Sequence, residues 1–319
     1  MTTATQTIPQ SQVIQTNKTY SRRKITNLVM LGITGLFTIL ALIPLIWIIV
    51  YVFLKGLQYL NFAFFTQLPR PLGIEGGGVL NAIEGTIILS LIASLFAIPP
   101  GILTGIYAAN RPNTPLGIAV RFGTDVLSGI PTIIIGMFGY ALLVKPLGGY
   151  SGLAGGIALA IVMFPIIIRT TEEMVKLVPR SLREGSLALG APEWKTSVSV
   201  ILPAALSGVV TGILLGLARA SGETAPLLFT SLGNERYEVF SILKSGIQNQ
   251  QGIIPTIQRI FMQPMDSLPL TLYKYSQQPY PERINQAWAA ALVLMMIVFG
   301  LNILARAWVN HRASRLRGK

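Results

Sequence analysis

The sequence predicts an all-α polytopic membrane protein with six transmembrane helices. Of its 319 residues, 51% are hydrophobic and 12% are charged, and the mean hydropathy is +0.59. A soluble domain carries about 25% charged residues. The apolar excess therefore calls for a lipid environment, in which long uncharged segments cross as helices because every backbone polar group must be paired inside its own segment.

The longest uncharged run contains the apolar segment Leu28–Leu54, which has 27 residues. As a helix it would be ~40 Å long, enough to cross a hydrocarbon core of ~30 Å with some tilt. It is too long for a signal peptide and no small-residue cleavage site follows it. We therefore expect an uncleaved anchor helix within residues 25–60, preceded by a mobile cytoplasmic tail over residues 1–24.

Five further spans follow from the same criterion. They are predicted at Thr86–Ala109, Val126–Val144, Leu153–Ile168, Ala204–Thr230 and Ala287–Ile303. Pro99-Pro100-Gly101 interrupts the second span and Gly129-Ile130-Pro131 the third. Each interruption is either a kink that serves packing or the border of a water-lined pathway, because proline frees backbone groups that need other partners.

The Lys and Arg residues orient these spans, since basic residues near span ends stay on the cytoplasmic side. Sixteen of the 25 basic residues fall in the two termini and in the connections between spans two and three and between spans four and five. Eight fall in the alternate connections, and Arg219 lies inside the fifth span. This distribution predicts cytoplasmic termini and a cytoplasmic connection between spans four and five.

That cytoplasmic connection has the pattern of two short helices. Pro179 suits the first turn of a helix and Gly190 suits its end. Pro192 then opens a second short helix, which Pro203 ends. Gly185 narrows the tip, so the helix pair is shaped to enter a groove on another protein. The same spacing is also that of an ordinary amphipathic surface loop.

The fifth span carries a small residue at every fourth position: Ala204, Gly208, Gly212, Gly216 and Ala220. Such a ladder lets another helix approach closely. Arg219 and Glu223 fall on nearly the same helix face as the glycines, within an arc of about 80°. Because burial of Arg219 in lipid costs about 2.5–3.5 kcal/mol, its side chain must face protein or water.

Two interpretations of Arg219 and Glu223 stay open. They form either a local ion pair that holds helices together or part of the lining of a translocation path. In the second case Arg219 offers guanidinium donors to an anion, which Glu223 holds or releases. Counted from Ala204, Arg219 lies ~22 Å along the helix, a depth that suits an outer gate.

Composition also argues against other classes of protein. The net charge of +13 is divided among termini and short loops, which is not the pattern of a nucleic-acid surface. The absence of cysteine and the single histidine, His311, exclude disulfides, thiol chemistry and histidine-based metal sites. No acid–base cluster lies at membrane depth, so we do not expect an enzyme. The one Gly-Lys pair is Gly318-Lys319, so no phosphate-binding P-loop is present.

Two motifs resemble those of a known transporter family. The pattern from Glu184 to Pro203 resembles the cytoplasmic coupling loop of permease subunits in bacterial ABC importers. Arg219-Ala220-Ser221-Gly222-Glu223-Thr224-Ala225-Pro226 is similar to the signature of the phosphate-importer permeases, and the chain resembles their A-type subunit. Supporting stretches are Ser128–Pro131, Gly136–Leu142 and Gln286–Leu292. The likeness covers Gly85 to Asn302; where the family usually has two alanines, this chain has Gly185 and Ser186.

The resemblance implies an ABC importer type I permease core over residues 80–310. It includes a coupling loop at 170–203 and an external connection at 231–286, and a cytoplasmic tail follows at 311–319. Contact with the ATPase subunit is then expected at Arg183, Glu184, Gly185, Ser186 and Gly190. Gating or passage of phosphate is expected at Arg219, Glu223 and Thr224, and helix packing at Gly208, Gly212 and Gly216.

The implied partners are a second phosphate permease subunit, two copies of an ATP-binding subunit and an external phosphate-binding protein. ATP and Mg would bind to the ATPase subunits and no cofactor to this chain, which would lie in the bacterial inner membrane. Two alternatives remain. One is a permease for another oxyanion such as sulfate or molybdate, because one guanidinium cannot distinguish them. The other is a membrane scaffold that senses phosphate without moving it.

Overall fold

The computed structural model describes residues 10–71, 74, 76–248 and 252–317, and within these ranges the regular elements are all helical. The all-α polytopic prediction is therefore confirmed. The chain divides into two compact units, one ending at Leu54 and the other beginning at Lys55. Helix α1 (Gln10–Leu57) provides the first unit up to Leu54, is helical through Pro44 and has its last three residues in the second unit. Its described side chains are almost all exposed, as expected of a helix surrounded by lipid.

Helix α1 begins at Gln10, within the predicted cytoplasmic tail, so residues 10–24 are helical. No glycine or proline occurs between Gln10 and Lys24, so nothing in this stretch stops the helix from extending beyond the apolar run. Residues 1–9 lie outside the described residues. The predicted C-terminal tail is likewise helical as far as Arg317, and Gly318 and Lys319 lie outside the described part of the chain.

The second unit contains the remaining helices. They are α2 (Phe62–Thr66), α3 (Leu80–Asn110), α4 (Pro115–Gly129), α5 (Thr132–Gly139), α6 (Lys145–Leu147), α7 (Gly152–Lys176), α8 (Arg180–Ala188), α9 (Glu193–Thr196), α10 (Leu202–Ser221), α11 (Ala225–Thr230), α12 (Val239–Gln248), α13 (Ile253–Phe261), α14 (Leu268–Ser276) and α15 (Pro281–Arg317). Two π-helical turns, Tyr140–Val144 and Ser197–Ile201, join α5 to α6 and α9 to α10.

Helix α3 is continuous through Pro99-Pro100-Gly101, so these residues do not break the helix. The helix is held on both sides of the prolines by its packing on α7. Ala97 is fully buried, and a Cβ at Gly101 would lie 2.8 Å from Ile167 of α7. Proline has no backbone N–H, so Pro99 and Pro100 each remove a helical hydrogen bond. The packing of α3 on α7 outweighs this loss, because tertiary contacts often override weak helix propensity.

The third predicted span is not one straight helix. Helices α4 and α5 meet at Ile130-Pro131 with a bend of 102°. Arg121 on α4 bonds Glu172 at the end of α7, whereas Ser151, just beyond α6, bonds Thr230 and begins α7. The bent pair therefore carries the chain from one end of α7 to the other, as a broken span. Together with five long apolar helices, it gives the six predicted crossings.

The fourth and fifth spans differ from the predicted bounds. Helix α7 continues past Ile168 because its charges are paired, Glu172 with both Arg121 and Lys176. The fifth span starts at Glu193, since Pro203 lies in the first turn of α10 and does not end the second short helix. In the π turn that precedes it, the Leu202 N–H bonds the Ser197 carbonyl, a wide turn in which the chain accommodates proline.

Helix α7 lies at the centre of the second unit. Helices α3 and α10 pack along it through residues that have no Cβ. A Cβ at Gly105 would lie 2.7 Å from Thr171, and Cβ atoms at Gly208 and Gly212 would collide with Met174 and Thr170. From Gly208 onward the small-residue ladder predicted for the fifth span is thus a packing face, and its partner is α7, whereas Ala204 is exposed.

The connection between α11 and α15 is folded onto one end of the bundle. Thr86 of α3 accepts a hydrogen bond from the Leu268 N–H, and Asn81 bonds the carboxylate of Asp266. Asp266 is 1% exposed; burial raises the pKa of its carboxyl group, an effect opposed by Lys274 at 3.6 Å. The described residues of this segment, which exclude 249–251, form a cap.

We predict that Gly212→Val destabilises the second unit by about 1–3 kcal/mol, the usual cost of overpacking. The valine side chain would displace Thr170 from α10. The thermal unfolding midpoint of the detergent-purified protein measures the loss. Gly300→Val on α15 is the control, because a Cβ there meets nothing within 4 Å. Equal midpoints for the two variants would contradict the packing assignment.

Candidate functional site

The break between α10 and α11 brings together the charged residues of the signature motif. Helix α10 ends at Ser221, and Gly222, Glu223 and Thr224 form the turn before α11. The predicted continuous span to Thr230 is therefore wrong. Pro226 in the first turn of α11 cannot continue a preceding helix, and Gly222 provides a flexible end.

Arg219 lies in the last turn of α10, at the end of the helix. Its Nη2 atom is 3.3 Å from Oε1 of Glu223, which lies in the turn. A cation in this position is stabilised by the negative end of the helix dipole. The side chain of Arg219 is 53% exposed and that of Glu223 16%.

The prediction that Arg219 shares the glycine face is only roughly correct. Gly212 and Gly216 are buried against α7, whereas Arg219 is exposed at the edge of this contact. By helix rotation alone Arg219 stays within the arc of the glycines, and its exposure goes with its position in the last turn of α10. Packing and charge therefore occupy successive parts of the same helix face.

Helix α5 packs against α11, next to the α10–α11 break. A Cβ at Gly136 would lie 2.9 Å from Cα of Pro226, and one at Gly139 would lie 2.7 Å from Thr230. Ser90 of α3 and the buried Ser221 join their hydroxyl groups at 3.1 Å. Pattern reasoning associated Gly136 with the family likeness but did not identify its contact, since the two segments are far apart in the chain.

Helix α8 is the second candidate site, and it ends with a Schellman motif. Gly190 has φ +80°, its N–H bonds the Leu187 carbonyl, and the Ala191 N–H bonds the Ser186 carbonyl, which is the pattern that defines this motif. The predicted stop at Gly190 is present. Pro179 is the N-cap residue, one position before the predicted first turn.

The predicted coupling residues divide between the two sides of α8. Arg183 and Ser186 face the bundle, where Arg183 bonds Asn110 at 3.0 Å and the Ser186 hydroxyl lies 2.9 Å from that of Thr196. Glu184 and Gly185 are exposed, and a Cβ at Gly185 meets nothing within 4 Å. Leu182, Leu187, Leu189 and Trp194 are also exposed. Apolar side chains exposed on so polar a segment indicate a surface for another protein.

A buried charge cluster supports the same end of the bundle and was missed from the sequence. Glu172 is 2% exposed, and its Oε1 atom lies 2.6 Å from both Arg121 Nε and Lys176 Nζ. Arg121 also bonds the carbonyl of Ala108 at the end of α3. The spacing of Glu172 and Lys176 is visible in the sequence, but the contribution of Arg121 depends on the fold.

Another ion pair joins the start of α9 to the end of α3. Arg111 Nη2 lies 2.8 Å from Glu193 Oε2, with both side chains more than half exposed. The hydrogen bond to Glu193 raises the pKa of the Arg111 guanidinium, which is charged at all physiological pH values in any case. Among the described residues, no group of His, Cys, Asp and Glu side chains could hold a metal ion.

A multi-spanning helical bundle with an exposed short helix at one end and a charged helix break at the other is a permease architecture. Residues 101–318 match the family described as Binding-protein-dependent transport system inner membrane component. The chain belongs to this family, and it is a multi-pass membrane protein.

Relatives with assigned names are similar over most of their length. The chain is 41% identical to the phosphate transport system permease protein PstA of Yersinia pestis over 82% of both chains. It is 38% identical to PstA of Haemophilus influenzae, covering 91% of this chain and 96% of that one. It is also 36% identical to the probable PstA of Methanocaldococcus jannaschii, covering 88% and 92%.

Solved structures agree on the fold. Two crystal forms of the MetNI methionine ABC transporter in inward-facing conformations contain a chain similar to this one, with TM-scores of 0.55 and 0.52. The alignments cover 73% of this chain and 95% and 94% of those chains, at 18% and 19% identity. The likeness concerns the fold alone, and it confirms the predicted fold class.

We predict that Gly136→Val moves the α10–α11 break, because its side chain would collide with Pro226. The chain has no cysteine, so Thr224→Cys introduces a single reporter in the turn. A water-soluble maleimide should modify this reporter at a several-fold different rate when Gly136→Val is added. Gly123→Val on α4, where a Cβ meets nothing within 4 Å, should leave the rate unchanged. An unaltered rate with Gly136→Val would show that α5 does not position the turn.

Proposed function

We propose that this chain is a permease subunit of an ATP-driven importer that moves inorganic phosphate across the cytoplasmic membrane by alternating access. Similarity to relatives named phosphate transport system permeases supports the choice of phosphate. The alternatives of a sulfate or molybdate permease, or of a scaffold that only senses phosphate, are not favoured by these names. The chain itself catalyses no reaction.

The observation that carries this proposal is the exposure of Arg219 at the end of a membrane span. More than half of its side chain is accessible, and exposure of a guanidinium to acyl chains is costly. This surface of α10 therefore faces water or another permease subunit. A guanidinium presents five N–H donors in a plane, so donors beyond the Nη2 contact with Glu223 suit the oxygen atoms of phosphate.

Glu223 and Thr224 have distinct parts in this mechanism. Glu223 neutralises Arg219 while no anion is near, and it gives up this contact when phosphate approaches, because the carboxylate and the anion compete for the same donors. Thr224 precedes α11, and its hydroxyl adds a neutral donor beside the pair. The turn lies between two helices and so can change its dihedral angles as the permeases rock.

Helix α8 transmits the work of ATP hydrolysis in this proposal. The family name states dependence on a binding protein, and an ATPase subunit provides the energy. Glu184 and Gly185 face away from the bundle, and the apolar side chains Leu187 and Leu189 beside them are exposed. The ATPase groove would cover this surface. ATP and Mg would bind to the ATPase subunits, and no cofactor to this chain.

The proposed orientation places α8 and both termini in the cytoplasm. Sixteen of the 25 basic residues lie on that side by the positive-inside rule. The cap formed by α12, α13 and α14 then faces the outside, where a phosphate-binding protein docks. A second, different permease subunit and two ATPase copies complete the proposed complex.

The central test is uptake of labelled phosphate by proteoliposomes that contain the chain with its partner subunits. We expect ATP-dependent and binding-protein-dependent accumulation of phosphate. Sulfate and molybdate should neither accumulate nor compete. Accumulation of one of these anions in place of phosphate would identify a different oxyanion permease, and binding-protein capture without uptake would identify a sensor.

Arg219→Gln should abolish phosphate uptake while the complex still assembles, because glutamine keeps hydrogen-bonding capacity but loses the charge and the fork of donors. Uptake and the elution volume of the complex are measured together. Arg306→Gln, at an exposed position of α15, is the control and should transport normally. Wild-type uptake by Arg219→Gln would show that Arg219 and Glu223 are not part of the translocation pathway.

Gly185→Trp should weaken substrate-stimulated ATP hydrolysis, because the indole would occupy the clearance at the exposed tip of α8. Phosphate release from ATP by the assembled complex gives the rate with and without loaded binding protein. Gly149→Trp, at a position where a Cβ also meets nothing within 4 Å but near α6, is the matched control. Normal stimulation in Gly185→Trp would contradict docking at this tip.

A further inference from the structure

Asn110 is the last residue of α3, and its amide group joins three elements. Its Oδ1 atom accepts a hydrogen bond from Arg183 Nη1 of α8 at 3.0 Å. Its Nδ2 atom donates to the Ser197 hydroxyl at 2.9 Å. An arginine can only donate, so the orientation of this amide is determined by Arg183. One short side chain therefore ties α8 to the end of α3 and to the π turn.

Ser197 begins the π turn that leads directly into α10. It is 7% exposed, and its carbonyl accepts the Leu202 N–H across the wide turn. Helix α10 continues from there to Arg219 without a further break. Because a packed helix moves as a rigid rod, displacement of Ser197 is displacement of the whole of α10 relative to α7.

A second contact reaches the same point. The Ser186 hydroxyl of α8 lies 2.9 Å from that of Thr196, and Thr196 is 1% exposed. Helix α8 is thus attached through Arg183 to Asn110 and through Ser186 to the residue before Ser197. Beside these bonds is a cavity of about 360 Å³ lined in part by Asn110, Arg183 and Ile201. The cavity leaves space for α8 to tilt while both attachments hold.

We propose that Asn110 is a positioning residue for coupling, which passes movement of α8 to α3 and α10 together. This inference rests on the proposed function of α8 as the contact with the ATPase. The amide makes the start of α10 and the end of α3 respond as one unit, so that a push on α8 reaches the Arg219 end of the span. Without the amide, movement of α8 is not passed on to α10.

The adjacent ion pair between Arg111 and Glu193 serves as an internal comparison. It joins the residue after α3 to the first residue of α9, over the same gap. Both side chains are more than half exposed, and exposed pairs contribute about 0–1 kcal/mol. Its loss should leave coupling intact, whereas Asn110 is half-buried and bonds a buried hydroxyl.

The test compares two variants of Asn110 in the complete complex with binding protein and ATPase in proteoliposomes. Asn110→Leu has nearly the same size but makes neither hydrogen bond. Asn110→Asp keeps both, because it accepts from Arg183 and from the Ser197 hydroxyl. The readout is phosphate transported per ATP hydrolysed. We expect Asn110→Leu to lower this ratio by about tenfold, the scale of losing two such bonds, and Asn110→Asp to remain near wild type.

Ser197→Ala and Arg111→Gln complete the design. Ser197→Ala removes one of the two bonds and should lower the ratio less than Asn110→Leu; added to Asn110→Leu, it should have no further effect, because the interaction is already lost. Arg111→Gln should retain the wild-type ratio. If Asn110→Leu does not assemble, Ser197→Ala alone decides the question.

Failure of the inference and failure of the proposed function give different results. If the wild-type complex moves no phosphate, the proposed function is wrong. If the wild-type complex moves phosphate and Asn110→Leu keeps the wild-type ratio of phosphate transported per ATP hydrolysed, Asn110 has no part in coupling. The same conclusion follows from Ser197→Ala if Asn110→Leu does not assemble. Equal losses in Asn110→Leu and Asn110→Asp would also overturn the inference, because they would indicate damaged packing rather than lost hydrogen bonds.

Discussion

Close contact of α3 and α10 with α7 is the constraint on which the rest of the second unit depends. Lipid offers no hydrophobic driving force between helices, so they associate through van der Waals packing at short range. Glycine permits this close approach of the helices because it has no side chain. Gly105 lies against Thr171, and Gly212 lies against Thr170. Because α7 is fixed between both helices, the end of α3, the start of α10 and the Arg219 turn all have defined positions.

The two candidate sites lie at opposite ends of α10. At one end, Arg183 and Ser186 attach α8 next to Ser197; at the other, Arg219 and Glu223 form a pair at the helix break. A helix that is packed on α7 through its glycines and ends at a break suits a moving part. The break between α10 and α11 supplies the freedom, while the packed glycines preserve the shape.

Several features were predictable because they depend on neighbours in the chain. The apolar runs predicted the spans, Gly190 predicted the end of α8, and the four-residue ladder predicted a packing face. Predictions of helix continuity and helix ends were wrong where contacts with residues distant in the chain determine the structure. Pro99 and Pro100 stay helical because α7 supports α3, and α7 extends beyond Ile168 because Arg121, about fifty positions earlier in sequence, pairs with Glu172.

The sequence by itself determined the membrane class, the number and order of the spans and the identity of the motif residues, because hydropathy, charge and the positions of glycine and proline act locally. Only the tertiary structure decided which surfaces these residues meet. It leaves Arg219 exposed while Gly212 and Gly216 are buried, places Gly136 against Pro226 and brings Asn110 between Arg183 and Ser197. Such contacts join segments that are far apart in the chain. Buried polar groups need hydrogen-bond partners, and a local sequence pattern does not show which distant residue will be that partner.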